Sequence, residues 1–223
     1  MKKNMRNNEG TAARNDLTEL VFILDRSGSM AGLVSDTIGG FNSLINDQRN
    51  AEGRAFVTTV LFDTEFIYLH DREDISSIKP MTEKDYVPRG CTALLDAVGM
   101  TISHIAGIHK YARPEDVPAK TVFVITTDGM ENASREYDYK KVKKMIEKEQ
   151  EKYGWEFIFL GANIDAAATA DSMGIAYASN YKADKKGTSI MFGAVNKTLG
   201  AIRACREIPE DWSDCMEEDA LRR

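Results

Sequence analysis

Residues 20–30 read LVFILDRSGSM: five apolar residues in a row, then Asp25, Ser27 and Ser29 on alternate positions. A short continuous apolar run rich in Val, Ile and Phe predicts a strand covered on both faces, as in a parallel sheet with helices on either side. The same pattern returns at 121–126 (TVFVIT) and 156–160 (EFIFL). Between these runs the apolar period changes. Val34, Ile38, Phe41, Leu44 and Ile45 share one face of a helix over 34–49, and Leu94, Leu95, Val98, Ile102 and Ile105 share one over 93–108. A charged helix over 136–153 turns Val142, Met145 and Ile146 inward, a short helix covers 166–173, a short strand 175–178, and a last helix runs from Ser189 to about Cys205. Strand-like runs at 55–62 and 65–70, separated only by Asp63-Thr64, predict an antiparallel hairpin. Apolar strands alternating with amphipathic helices imply right-handed βαβ crossovers. The expected fold class is therefore α/β: a three-layer, doubly wound, mostly parallel sheet with one antiparallel edge strand.

The composition fits such a domain. At 223 residues, 43% hydrophobic and 29% charged, the chain is long enough for one α/β core. No apolar stretch approaches the ~18 residues that span a membrane. The opening MKKNMRNNEG is basic, but no apolar segment follows before Leu17, so a cytoplasmic, membrane-free setting is expected. Three cysteines (Cys91, Cys205 and Cys215) at unrelated spacings fit reduced thiols better than a disulfide framework or a zinc cage. A net charge of −6 argues against general nucleic-acid binding. Lys2, Lys3, Arg6 and Arg14 lie among asparagines in residues 1–16, which read as a flexible arm before a domain over 17–205. Residues 206–223 read as an acidic, solvated tail, with seven acidic and no basic side chains between Glu207 and Asp219.

In doubly wound sheets ligands bind beyond the carboxyl ends of the strands. Here those ends carry Asp25, Ser27 and Ser29 after the first strand, and Thr127, Asp128 and Gly129 after TVFVIT. Thr92, in RGCTALLDA, opens the helix over 93–108. The alternation of Asp25, Ser27 and Ser29 lets a loop turn all three oxygens toward one point, and Gly28 supplies backbone freedom there. Two carboxylates and three hydroxyls make an incomplete oxygen shell suited to a hard cation such as Mg²⁺, with Mn²⁺ or Ca²⁺ as alternatives. A cation in that place makes a carboxylate at a buried strand end tolerable.

DRSGSM, then GCTAL, then TTDG resembles the metal-ion-dependent adhesion site of von Willebrand factor type A domains, whose pattern is Asp-x-Ser-x-Ser, a distant Thr and a distant Asp. The likeness covers about 17–205, and three separated motifs in order are far more specific than DxSxS alone. It implies that Ser27, Ser29 and Thr92 bind the metal directly, and Asp25 and Asp128 directly or through water. It also implies that a partner's Asp or Glu completes the coordination. A single domain without a membrane anchor is most similar to the bacterial branch of the family, whose members work beside ATPases, kinases or phosphatases.

Simpler readings exist for each piece: a polar turn after a strand, an Asp-Gly turn, a threonine N-cap. Separately they are adequate; together they require three coincidences at one sheet edge. Arg26 reads as a surface arginine, Glu131 and Asn132 as a solvated loop, and His70, His104 and His109 as structural. Asp165 reads as a helix cap in FLGANIDA. Glu217 or Asp219 in the tail offers a carboxylate to a neighbouring molecule's metal. The expected function is a non-catalytic, metal-dependent protein-interaction module. The alternative is a Mg²⁺-dependent phosphatase or hydrolase with Asp25 as nucleophile. Such enzymes use a second carboxylate two residues on as acid/base, where this chain has Ser27.

Overall fold

The computed structural model describes residues 16–204 and 206–222. The reading of an N-terminal arm falls on residues 1–15, outside the described residues, as does Cys205. Six strands form one sheet: β1 (Thr18–Asp25), β2 (Ala55–Phe62), β3 (Phe66–Asp74), β4 (Lys120–Thr127), β5 (Glu156–Gly161) and β6 (Tyr177–Asn180), in spatial order β3-β2-β1-β4-β5-β6. All pairings are parallel except β2 with β3, where Phe62 lies opposite Phe66 across a tight hairpin.

β1 is buried along its whole length because it is central and covered on both faces. Leu20, Phe22 and Leu24 point into one core and Val21 and Ile23 into the other, as the period of two requires. The first core is closed by α1 (Val34–Arg49) and α5 (Lys185–Arg203), and the second by α2 (Leu94–Tyr111), α3 (Tyr139–Tyr153) and α4 (Ala166–Ser172). α1 leads from β1 to β2 on one face, while α2 leads into β4 on the other. The winding therefore reverses between β1 and β4, which opens a crevice at their carboxyl ends. Helices α1 and α5 approach closely at Gly40, where an added Cβ would lie 2.1 Å from the Phe192 ring.

The hairpin and the alternation of strands and helices follow the sequence reading. Three features differ. The last strand is displaced to Tyr177–Asn180, and α5 begins at Lys185, with Asp184 as its N-cap accepting from the Gly187 amide at 2.8 Å. The segment before Tyr139 is not helical, because Asp96 of α2 accepts the amides of Arg135, Glu136 and Tyr137 and holds it as a loop. The C-terminal segment is not a solvated tail. Ile208, Trp212 and Met216 are buried in the first core, and Asp214–Arg222 forms a sixth helix, α6. Asp219 is 5% exposed and 2.6 Å from Lys186 Nζ, so it is not free to reach a neighbouring molecule.

Candidate metal centre

The five predicted residues lie at the crevice, Asp25 at the last position of β1 and the other four in the connections that follow β1, precede α2 and follow β4. Asp25 ends β1 fully buried, its Oδ1 accepting the Ser27 amide at 2.6 Å and its Oδ2 the Thr127 hydroxyl at 2.6 Å. Ser27 and Ser29 then enter a 3₁₀ turn over Gly28–Leu33, with their hydroxyls 3.0 Å apart. Ser29 Oγ donates to Asp128 Oδ1 at 2.5 Å, which joins the loop after β1 to the loop after β4. Thr92 arrives from the segment before α2. A Cβ added to Gly129 would lie 3.2 Å from Thr92 Oγ1 and 3.6 Å from Ser29 Oγ, so a space bare of side chain separates these hydroxyls.

Burial raises the carboxyls of Asp25 and Asp128 above their ordinary value. The bonds from Thr127 and Ser27 to Asp25, and from Ser29 to Asp128, pull the other way, while the Asp128 charge adds to the rise at Asp25. Two carboxylates desolvated side by side form a place that attracts positive charge. The donors are all oxygen. Among the described residues no group of three or more His, Cys, Asp or Glu is placed to hold a metal, so hydroxyls must supply much of any shell here. This set, with the glycine-lined space among it, fits a hard cation and not a thiophilic one.

Several residues that hold these loops were not evident from sequence. Arg26 is not a surface arginine; it is buried, its Nε 2.8 Å from Asp63 Oδ2. Asp63 also takes the Glu65 amide and Arg89 Nε. Burial alone would raise its carboxyl, but the Glu65 amide with Arg89 and Arg26 outweighs this and holds it below the ordinary value. This triad ties the turn after β1 to the end of β2, and backbone bonds from Arg89 N to Arg26 O and from Gly28 N to Gly90 O add the next loop. Tyr86, fully buried, donates to the backbone carbonyl of Asp25. Glu131 and Asn132 do lie in a loop, with Asn132 exposed, but their side chains are engaged. Glu131 accepts the Leu95, Ala133 and Ser134 amides and the Ser134 hydroxyl, and Asn132 Oδ1 accepts the Thr92 amide. They fasten the start of α2, and with it Thr92, to the loop that carries Asp128. The expected cap is present at Asp165, which accepts from the Ala168 amide. Each histidine is packed against a partner: His70 on Thr59, His104 on Asp71 and His109 on Glu19.

A doubly wound domain with an oxygen-lined crevice at its switch point defines a recognisable architecture. No protein-family model and no curated protein matches the sequence. Solved structures do match in fold. The von Willebrand factor type A protein from Catenulispora acidiphila is 15% identical with a TM-score of 0.58, over 82% of this chain and 43% of that one. Proximal thread matrix protein 1 from the mussel byssus, with a zinc-occupied metal-ion-dependent adhesion motif, is 14% identical with a TM-score of 0.57, over 82% of this chain and 46% of that one. The von Willebrand factor domain of the pilus tip protein Mfa5 from Porphyromonas gingivalis is 10% identical with a TM-score of 0.56, over 82% and 94%. This chain thus spans less than half of the first two proteins and nearly the whole of the third domain. Its fold is that of von Willebrand factor type A domains. No helix among the described residues is long and apolar enough to cross a membrane.

Proposed function

We propose that this chain is a divalent-metal-dependent protein-interaction module, in which Asp25, Ser27, Ser29, Thr92 and Asp128 hold a hard cation and a partner's acidic side chain completes the site. The observation that carries this reading is the convergence of three loops: Ser29 bonds to both Ser27 and Asp128, and Thr92 Oγ1 and Ser29 Oγ border the space beside Gly129. When bound, the cation supplies a concentrated positive charge that a carboxylate satisfies better than a neutral ligand. The protein's own part is positioning. Thr127 and the Ser27 amide fix Asp25, the Arg26–Asp63–Arg89 triad fixes the turn carrying the serines, and Glu131 with Asn132 fixes Thr92. Mg²⁺ is the favoured ion, and Mn²⁺ and Ca²⁺ satisfy the same donors. The zinc-occupied motif of the mussel protein, on the same fold, supports divalent binding in general.

A non-catalytic role is favoured over phosphoryl transfer. Asp25 is fully buried with both oxygens engaged, and the position where a proton-transferring carboxylate would stand is Ser27. The family resemblance supports a cytoplasmic setting and, as the partner that presents the acidic side chain, an ATPase, kinase or phosphatase encoded nearby.

Calorimetry with Mg²⁺, followed by affinity capture with Mg²⁺ or with EDTA, tests the proposal. Metal binding that disappears in Asp25→Ala, together with partners captured only in metal, is the expected result. Capture that ignores both EDTA and the substitution overturns it.

A further inference from the structure

Two helices of this chain are rich in lysine, and only one of them has its charge answered. On α5, Lys186 bonds Asp219 at 2.6 Å and Lys197 lies 3.6 Å from Asp211. The acidic segment that ends in α6 thus covers those lysines while burying Ile208, Trp212 and Met216. α3 carries six lysines against three glutamates, and among the described residues only Lys148 meets a carboxylate, that of Glu149.

The lysines are not spread evenly round α3. At ~3.6 residues per turn, Lys141, Lys144, Lys148 and Lys152 fall on one ridge. That ridge faces α2. Lys148 shares a cavity wall with Ala106, Gly107 and Lys110 of α2, and Lys141 Nζ lies 4.0 Å from the centre of the Tyr137 ring, which packs on Gly99 of α2. The other flank meets α4, where Lys143 bonds the Asp171 carbonyl at 3.2 Å and Glu147 lies against Gly174. Lys110, Lys144, Lys148 and Lys152 are all exposed. Opposite them the α2 side of the trough is low, and a Cβ added to Gly107 would meet nothing within 4 Å. Glycine weakens a helix interior and no internal contact requires it here, so the position suits close approach by an outside chain. Between the last turns of α2 and α3 the trough deepens into a cavity of about 510 Å³, whose wall includes exposed Tyr153 and half-buried Ala106 and Val117.

We infer that this trough docks an acidic amphipathic helix of a partner protein, independently of the metal centre. Its carboxylates meet Lys144, Lys148, Lys152 and Lys110, and its apolar side chains take the low floor and the cavity. Lys144, Lys148 and Lys152 repeat every ~6 Å along α3, which is the spacing of acidic residues at every fourth position of a second helix. With all three glutamates of α3 counted and Lys110 added, four positive charges remain, in a chain whose net charge is −6. A nucleic-acid duplex is wider than the ridge and would bring phosphates onto exposed Glu147 and Glu151. An acidic helix is also what the chain itself lays against the lysines of α5.

A fluorescent, alanine-based helical peptide of about 20 residues, with glutamate at every fourth position beside a ridge of leucines, is titrated with the full chain in EDTA. Saturable anisotropy is expected, weakened at least about tenfold between roughly 0.05 M and 0.5 M salt and unchanged by Mg²⁺. Lys144→Glu combined with Lys152→Glu should weaken it at least about tenfold, while Lys148 stays to balance Glu149. Lys185→Glu, on α5, should leave it unchanged. No saturable binding below about 1 mM overturns the inference. So does equal binding by a peptide with its glutamates clustered at one end, by a DNA oligonucleotide, or by the folded double variant. Peptide binding that requires Mg²⁺ assigns the peptide to the metal centre, which overturns this inference and leaves the proposed function standing. Sedimentation of the chain alone completes the test: self-association abolished by the double variant would make a second copy the occupant and overturn the inference. The ranking of the probes on the parent chain decides the matter even if the double variant does not fold.

Discussion

At Asp25 the chain places a carboxylate where no water reaches it, with Asp128 close enough that its charge is felt. Both carboxyls are raised in the folded state, so the metal-free protein loses stability as pH climbs through the ordinary carboxylate value of 3.8 toward the raised ones. Near neutral pH the cost of these charges is present. Asp128→Asn removes one charge but keeps an oxygen to accept the Ser29 hydroxyl. In EDTA this variant should melt about 2–4 °C above the parent, the equivalent of ~1 kcal/mol in a chain of this size. It should also lose the rise in melting temperature that Mg²⁺ gives the parent. Differential scanning calorimetry with and without Mg²⁺ checks both, and an unchanged EDTA melt would refute the repulsion argument. His70 behaves in the opposite direction. Burial lowers its pKa, against the pull of Glu73 and Asp85, so below about pH 6.5 the unfolded chain takes up a proton that the folded one refuses. Stability should therefore fall as pH drops from 6.5, and His70→Gln should flatten that part of a melting-temperature profile measured between pH 5 and 8. The candidate site was legible in the sequence because DRSGSM, GCTAL and TTDG follow one another in order at the ends of predicted strands and the start of a predicted helix. Arg26 was not, because its partner Asp63 lies 37 positions away and only the pairing of β1 with β2 brings them together.

Among the elements, α2 bears most directly on the metal centre, since Thr92 is fixed at its start. Glu131 receives four bonds there, from three amides and a hydroxyl, and nothing else among the described residues replaces them. Glu131→Ala should cost ~2 kcal/mol of stability and weaken Mg²⁺ binding about tenfold through Thr92, measured by denaturant melts and calorimetry respectively. If Mg²⁺ affinity is untouched, the clamp does not govern Thr92. A different readout applies to α1 and α5. Gly40→Ala forces a methyl into the Phe192 ring and should cost ~1–3 kcal/mol with the metal centre unaffected. The helices and strands of the core were predictable because burial imposes periods of 3.6 and 2 on their apolar residues. The loop before α3 was not, because three amides captured by Asp96 leave no apolar period to read.

For the whole molecule, the C-terminal segment completes the first core. The acidic side chains there suggested a solvated tail, yet Ile208, Trp212 and Met216 recur every fourth position, and that stripe is what α5 and β6 receive. The signal was present but outweighed by charge. Removing residues 206–223 should lower the melting temperature by at least about 5 °C, since three apolar side chains return to water. A truncated protein that melts like the parent would show the segment to be dispensable.

The sheet ends at β3, a nine-residue strand whose outer backbone has no neighbouring strand among the described residues. Its second half exposes Asp71, Glu73 and Asp74, and the pairing with β2 is irregular between Val57 and Val60. Negative charge along an irregular border deters another molecule from stacking its own strand there. At this border, growth of the sheet by a strand from another copy is thus discouraged.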